Sequence, residues 1–307
     1  MVNELDTIPF NKRSRRQLKF WRLFAIIFFV FTLTLILFDK NFFLNPLGYQ
    51  DHIVKINVNG FIDDNPDLAS DLEDLLDNKK VKAILVMIDS PGGTSFGGEF
   101  MYRKLIKLSS SGVPVVTVIR TIGTSAAYAV ALGGDRIFAL ETSLLGSVGA
   151  LIRSADISEL LAKVGVKPEI YKSGEFKSLP SPTEKTSDEA KLVIQSSVNE
   201  VKKWFLRIIK ERREISDDKV RKISKGGIYT GKQAISLNLI DEIGGEQEAL
   251  NWLVDYKGLK RDLPIIEIDN FSKNQEFCCS FFSILQKIIN SSKVSLDGFL
   301  SVWHPNT

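Results

Sequence analysis

The chain has 307 residues, of which 44% are hydrophobic and 25% charged, a composition ordinary for one large or two small folded domains. Its formal net charge is only +3 and no basic stripe interleaved with aromatic residues occurs, so we expect no nucleic-acid binding. The two cysteines, Cys278 and Cys279, are adjacent and form no C-x-x-C pair, so the sequence indicates no zinc site and no redox motif.

The N-terminal part of the chain predicts a membrane anchor. Residues 1–19 form a polar, basic tail, and residues 20–38 are almost wholly apolar. A helix of this length, at about 1.5 Å per residue, approaches the thickness of the hydrocarbon core of a bilayer. A cleaved signal peptide is the alternative, but residues 39–45 lack a small-x-small cleavage site, which favours a retained anchor. Because the basic cluster precedes the span, we expect the N-terminus in the cytoplasm and the rest of the chain outside it.

Residues 39–51 are expected to be a linker, and residues 52–270 an α/β domain. Apolar runs of strand character alternate there with amphipathic helical stretches, which predicts a mainly parallel sheet with covering helices. The expected strands are 52–58, 81–88, 113–119, 135–139, 168–171 and 264–268. The expected helices are 66–78, 98–108, 126–132, 156–164, 187–213, 216–224 and one that ends near Asn238. Residues 144–149 are expected to form a glycine-punctuated turn.

Residues 271–307 are expected to be a C-terminal amphipathic extension. Apolar residues recur there at helical spacing between Phe277 and Ile288. Such a stripe most often packs into a core or against another subunit, and contact with a membrane surface is the minority interpretation.

The stretch Arg120–Asp135 carries a candidate nucleophile. A β-branched run ends before Gly123, and a short alanine-rich helix begins at Ala126, so Ser125 lies where a strand passes into a helix. A helix start offers free N–H groups and positive dipole character, which stabilise negative charge on an oxygen. The simpler alternative is that Ser125 only caps the helix.

The second candidate element is the turn Asp89-Ser-Pro-Gly-Gly-Thr94. Its two glycines allow successive N–H groups to point into one concavity, which is the arrangement of an oxyanion hole. A tight turn that merely closes a strand is the alternative. Since parallel strands end at the same edge of a sheet, we expect Gly92 and Gly93 to lie near Ser125.

A serine nucleophile needs a base, and this chain has only two histidines, so a Ser-His-Asp triad is not expected. A lysine can serve when an apolar site lowers its pKa. Lys177 is a candidate, because Phe176, Leu179 and Pro180 are able to desolvate it, although a solvated loop lysine is the simpler interpretation.

Five motifs then occur in the order of a known family. They are Ser90-Pro-Gly-Gly93, Gly123-x-Ser-Ala-Ala-Tyr128, Leu145-Gly-Ser-Val-Gly149, Lys172-Ser-Gly-Glu-Phe-Lys177 and Tyr229-Thr-Gly-Lys-Gln-Ala234. Together they resemble the short form of the signal peptide peptidase A (SppA) family, which consists of membrane-anchored serine proteases. The resemblance covers about residues 50–255 and implies a Clp protease/crotonase-like fold.

The resemblance also implies roles for individual residues. Ser125 matches the nucleophile, Lys177 the general base, and Ser147 a serine that orients the lysine. The N–H groups of Gly93 and Ala126 match the oxyanion hole. The resemblance implies neither a metal nor another cofactor.

The family also suggests where the protein works. The implied substrates are remnant signal peptides and other short hydrophobic peptides, and the implied assembly is a homo-oligomer with active sites at subunit boundaries. The expected location is the inner (cytoplasmic) membrane, single-pass, with the catalytic domain periplasmic or extracytoplasmic.

Two departures from the family pattern and two rival functions stay open. Ser-Ala-Ala-Tyr stands where Ser-Gly-Gly-Tyr is usual, and Asn238 stands where a helix-ending glycine is usual, but neither change removes a catalytic atom. The rivals are a crotonase-type acyl-CoA enzyme, which shares the fold, and a catalytically silent membrane scaffold.

Overall fold

The computed structural model of the protein describes residues 20–30 and 50–268. Residues 1–50 and the chain from residue 51 onward are two separate compact units. In the first unit residues 20–30 are helical, and their large apolar side chains are exposed. Among the described residues, no helix combines the length and the apolar character needed to cross a bilayer. Residues 31–38 of the predicted span lie outside the described residues, so the transmembrane anchor stays a prediction.

The second unit alternates strands and helices, as its sequence pattern predicts. Its strands are β1 (His52–Ile62), β2 (Val81–Gly93), β3 (Val115–Thr124), β4 (Arg136–Ala139), β5 (Leu144–Gly146), β6 (Ile228–Thr230), β7 (Glu242–Ile243) and β8 (Ile265–Ile268). Its helices are α1 (Pro66–Asp77), α2 (Ser95–Ser110), α3 (Ala126–Ala131), α4 (Ser158–Lys163), α5 (Asp188–Arg212), α6 (Asp217–Ile223), α7 (Gly231–Ser236) and α8 (Glu246–Lys257).

The strands form one sheet with the order β6-β5-β3-β2-β1-β8, to which β4 and β7 are joined beside β3. Every pairing is parallel except that of β5 with β6. The mainly parallel α/β architecture expected from the sequence is therefore confirmed.

Helices cover both faces of this sheet. On one face, α1, α2, α3 and α5 pack against alternate residues of the central strands, such as Ile84, Val86 and Ile88. On the other face, Leu85 and Met87 pack against α8. The near-continuous apolar run of β2 follows from this double coverage, because both sets of side chains are buried.

Strand β3 changes its partner halfway along. Its residues up to Ile119 pair with β4, whereas Ile122–Thr124 pair with β5. The buried hydroxyl of Ser143 occupies the branch, where it donates to the carbonyl groups of Ile119 and Arg120 and accepts the N–H of Leu140. This branch carries the end of β3, and Ser125 after it, away from β4 and alongside β5.

Several predicted boundaries were wrong. Residues 168–171 are exposed irregular chain rather than a strand, because they pair with no strand among the described residues. The expected turn 144–149 contains strand β5, which pairs with β3 and β6. Strands β2 and β3 run on to Gly93 and Thr124, beyond the expected ends at residues 88 and 119. The tail 1–19, most of the linker 39–51 and the extension 271–307 with its two cysteines lie outside the described residues.

Candidate active site

Ser125 lies at the junction between β3 and α3, as the sequence predicts. Its backbone has φ 55° and ψ −125°, and its N–H donates to the carbonyl of Gly146 at 2.9 Å. A positive φ is unfavourable for a residue with a side chain, so the surrounding hydrogen bonds must hold this turn. The Ser125 side chain makes no capping hydrogen bond to α3. The interpretation of Ser125 as a mere helix cap is therefore wrong, and its half-buried hydroxyl is available for chemistry.

The glycine turn at the end of β2 packs directly against Ser125. Gly92 has φ +115°, and a methyl group at its Cα would lie 2.9 Å from Ser125 Cβ and 2.9 Å from the Thr124 carbonyl oxygen. The buried Ser90 hydroxyl holds this turn, because it donates to the Gly60 carbonyl at 2.5 Å and accepts the Gly92 N–H at 3.0 Å. Only glycine combines this backbone conformation with so close an approach.

Gly93 and Ala126 line the same cavity as Ser125. Gly93 is at the end of β2, paired with Ile62 of β1. Ala126 is the first residue of α3, so its N–H has no acceptor in a preceding helical turn. The two predicted oxyanion-hole residues are thus brought to the predicted nucleophile.

Ser147 follows the neighbouring strand at the equivalent position. Thr124 pairs with Gly146, so Ser125 and Ser147 are the next residues along two adjacent strands. Ser147 also has a positive φ of 52°, and its N–H donates to the Gly227 carbonyl at 2.8 Å. Its side chain is half-buried in the cavity of Ser125.

The cavity has a volume of about 570 Å³, and somewhat more of its lining is apolar than polar. Such a space accommodates several side chains of an extended peptide. Apolar side chains from β1, α3, α5 and the loop after β5 form its walls: Phe61, Ala129, Val148, Leu151, Trp204 and Phe205. Within the described parts of the chain, no three side chains of histidine, cysteine, aspartate or glutamate cluster so as to hold a metal ion.

Lys177 does not line this cavity in the single chain. It is exposed in a turn at residues 175–178, and the whole segment from Leu151 to Ser178 is largely exposed. We call residues 151–178 the arm. It carries exposed apolar side chains, including Leu160, Val164 and Tyr171, of which Tyr171 is 91% exposed. The structure thus unites four of the five predicted site residues and leaves the predicted base apart from them.

Two other lysines, which the sequence analysis did not single out, line the cavity instead. Lys202 comes from α5 and Lys225 from the loop after α6. No local motif distinguishes them from the many other lysines. The one signal in the sequence is that Lys202 lies close to Trp204 and Phe205 on an amphipathic helix, whose apolar face is expected to be buried.

Helix α2 constrains the residue after the nucleophile. A methyl group at Gly98 would lie 2.8 Å from Ala126 Cβ and 3.1 Å from Ala126 Cα. The alanine that replaces the family's usual glycine at position 126 therefore fits because residue 98 has no side chain.

We expect Gly98→Ala to destabilise the protein although alanine favours helices. Overpacking costs about 1–3 kcal/mol, which exceeds a gain of about 1 kcal/mol in helix propensity. Urea unfolding should show a lower free energy of unfolding, and the double variant Gly98→Ala/Ala126→Gly should recover most of it. Gly174→Ala is the matched control, since no atom lies within 4 Å of its added methyl group. An unchanged stability of Gly98→Ala would contradict the close packing of α2 on α3.

Comparison with known proteins gives a consistent result. The sequence model of peptidase family S49 matches residues 107–260, which include Ser125, Ser147 and Lys177. A candidate signal peptide peptidase SppA of Enterococcus faecium is 32% identical over 231 residues, covering 71% of this chain and 67% of that protein. A candidate protease of Synechocystis is 33% identical over 194 residues, covering 63% of this chain and 69% of that protein. The chloroplastic serine protease SPPA of Arabidopsis thaliana is 29% identical over 226 residues, covering 69% of this chain and 33% of that protein.

Proposed function

Because this chain belongs to peptidase family S49 and is a serine peptidase, we propose that it is a membrane-anchored endopeptidase that degrades cleaved signal peptides and other short hydrophobic peptides. The observation that carries the proposal is the Ser125 hydroxyl, which is free of any capping role and faces an apolar cavity. The name of the Enterococcus relative supports the substrate class. The apolar run 20–38 supports the anchor, with the N-terminus in the cytoplasm and the domain outside it.

The proposed reaction is acyl transfer in two steps. A neutral Lys177 amine accepts the proton of Ser125 Oγ as that oxygen attacks the peptide carbonyl, and the N–H groups of Gly93 and Ala126 bind the resulting oxyanion. The protonated lysine then gives its proton to the leaving amine, which leaves an acyl-enzyme. Water, deprotonated by the same lysine, hydrolyses this ester and restores Ser125.

The base has to reach the nucleophile, and we propose that it does so from a neighbouring subunit. In the single chain Lys177 lies on the exposed arm and outside the cavity. The apolar side chains of the arm, such as Val164 and Tyr171, are those that a second copy would bury. A homo-oligomer in which each arm closes the site of its neighbour would bring Lys177 to Ser147 and Ser125, and Ser147 would orient the amine.

The rival functions lose support at this point. A crotonase-type acyl-CoA enzyme shares the oxyanion geometry, but the chain belongs to a peptidase family. A silent scaffold would not need a serine held at positive φ whose side chain does not cap the helix that follows it.

Labelling with a fluorophosphonate probe tests the proposed nucleophile. This probe phosphonylates an activated serine, so we expect stoichiometric labelling of the full chain in detergent and a modified peptide containing Ser125 by mass spectrometry. Boiled protein is the control, because the activated state depends on the fold. Labelling of another serine, or none in a sample that cleaves peptides, would contradict the assignment of Ser125.

A further inference from the structure

The described residues that line the cavity of the candidate active site carry two positive charges and no negative charge. Among them only Lys202 and Lys225 are charged. Neither lysine amine forms an ion pair or a hydrogen bond with any residue that the structure describes. The site therefore presents two unpaired ammonium groups beside an apolar wall.

Lys202 is unusual among the cations of helix α5. The neighbouring Lys203 pairs with Glu200 at 2.6 Å, and Lys210 pairs with Asp217 at 2.8 Å. Lys202 is only partly exposed and stands next to Val201 on the cavity wall, close to Trp204. An ammonium group in such partly apolar surroundings loses hydration, and an anion that enters the cavity offsets this loss.

Lys225 is held near the candidate catalytic residues by its backbone. It lies in the loop between α6 and β6, and Gly227 of this loop accepts the Ser147 N–H at 2.8 Å. The following residues pair with β5, with Ile228 opposite Gly146. The loop thus contributes Lys225 to the cavity that Ser147 also lines.

From this arrangement we infer that the active site recognises a carboxylate of its peptide substrate through Lys202 and Lys225. The inference rests on the proposed function and adds a second determinant of substrate specificity. Apolar side chains of the peptide fill the cavity, and a carboxylate of the peptide pairs with the lysines. The carboxylate comes either from the free C-terminus of the peptide or from an acidic side chain. Because a chain has a single C-terminal carboxylate, this source would confine cleavage to sites near the end of a peptide, whereas an acidic side chain would allow cleavage at internal sites.

The test uses the full chain in detergent and one short, internally quenched apolar peptide made in four forms. The C-terminus is a free acid or an amide, and one internal residue is glutamate or glutamine. We expect kcat/KM to be about tenfold higher for the free acid than for the amide, or for glutamate than for glutamine, because Lys202 is half-buried and two cations, it and the exposed Lys225, together contribute about that factor. The pair that shows the difference identifies the source of the carboxylate. Equal rates within both pairs would overturn the inference.

Variants assign the preference to these two lysines. Lys202→Gln and Lys225→Gln should each lower the ratio of acid to neutral kcat/KM, and the double variant should bring it to about one. Lys202→Arg should keep the ratio, and Lys203→Gln is the matched control, since its amine already pairs with Glu200. A ratio that survives in the double variant would overturn the inference. So would variants that move the pH profile and leave the ratio unchanged, because the lysines would then act on the general base.

The failure of this inference can be distinguished from failure of the proposed function. Wild-type protein that cleaves all four peptides equally refutes only the carboxylate recognition. Wild-type protein that cleaves none of them and resists fluorophosphonate refutes the proposed peptidase site itself. High salt provides an independent check, because screening should lower the ratio but not the cleavage of the neutral peptides.

Discussion

Ser125→Ala is expected to lower kcat/KM for an apolar peptide by at least about 10⁴-fold, the usual size of the loss when a catalytic serine is removed. The alanine retains Cβ and removes only Oγ, which makes no hydrogen bond to the helix it precedes. The free energy of unfolding should therefore change little. Activity is to be measured with a quenched peptide, and folding with circular dichroism and urea titration.

Ser95→Ala provides the matched control for this variant. Ser95 also lines the cavity but begins α2 rather than α3, and it has no place in the proposed reaction. It should keep near wild-type rates and full fluorophosphonate labelling. Substantial peptide cleavage by Ser125→Ala would show that another group attacks the peptide, and the proposed mechanism would be wrong.

Lys177→Ala is expected to cause a loss of similar size, because a serine without a base is a poor nucleophile near neutral pH. The side chain is exposed in the single chain, so the fold should be unaffected. If the arm completes a neighbour's site, co-expression of Lys177→Ala with Ser125→Ala should restore activity. Random assembly would give about one quarter of the wild-type rate, since an intact boundary needs one particular variant on each side.

The controls distinguish three possibilities for the base: Lys177 of a neighbouring subunit, Lys177 of the same chain, and Lys202. Each variant expressed alone should stay inactive, and two differently tagged copies of the same variant should also stay inactive when combined. A mixture that remains inactive, although both tags copurify, would place the base and the nucleophile in one chain. Loss of activity in Lys202→Ala together with full activity in Lys177→Ala would identify Lys202 as the base instead.

The local elements of the domain could be predicted because their causes are local. The run Val81–Ile88 is apolar except for Lys82, a pattern typical of a strand covered on both faces. Short strands such as β5 and β7 were missed, because two or three residues carry no measurable period and owe their conformation to the strands beside them. The same reason explains the wrong strand at residues 168–171, which has strand-like residues but no neighbouring strand among those described.

The candidate site likewise has features that could be predicted from the sequence and features that could not. The meeting of Gly93, Ala126 and Ser125 was predictable, since parallel strands bring their carboxyl ends to one edge of the sheet. The charge of the cavity was not predictable, because Lys202 and Lys225 come from segments about 80 to 100 residues further along the chain, and their approach depends on how α5 and the loop after α6 pack.

By itself, then, the sequence determined the longer strands and helices of the domain, the family and the chemically active motifs, since periodicity and turn chemistry act over a few residues. The tertiary structure alone decided that β3 leaves β4 for β5, that the Ser125 hydroxyl does not cap its helix, and that Lys177 stands outside the cavity while two other lysines line it. These features depend on contacts between residues far apart in the chain, and no local pattern of side chains encodes which distant surfaces will meet.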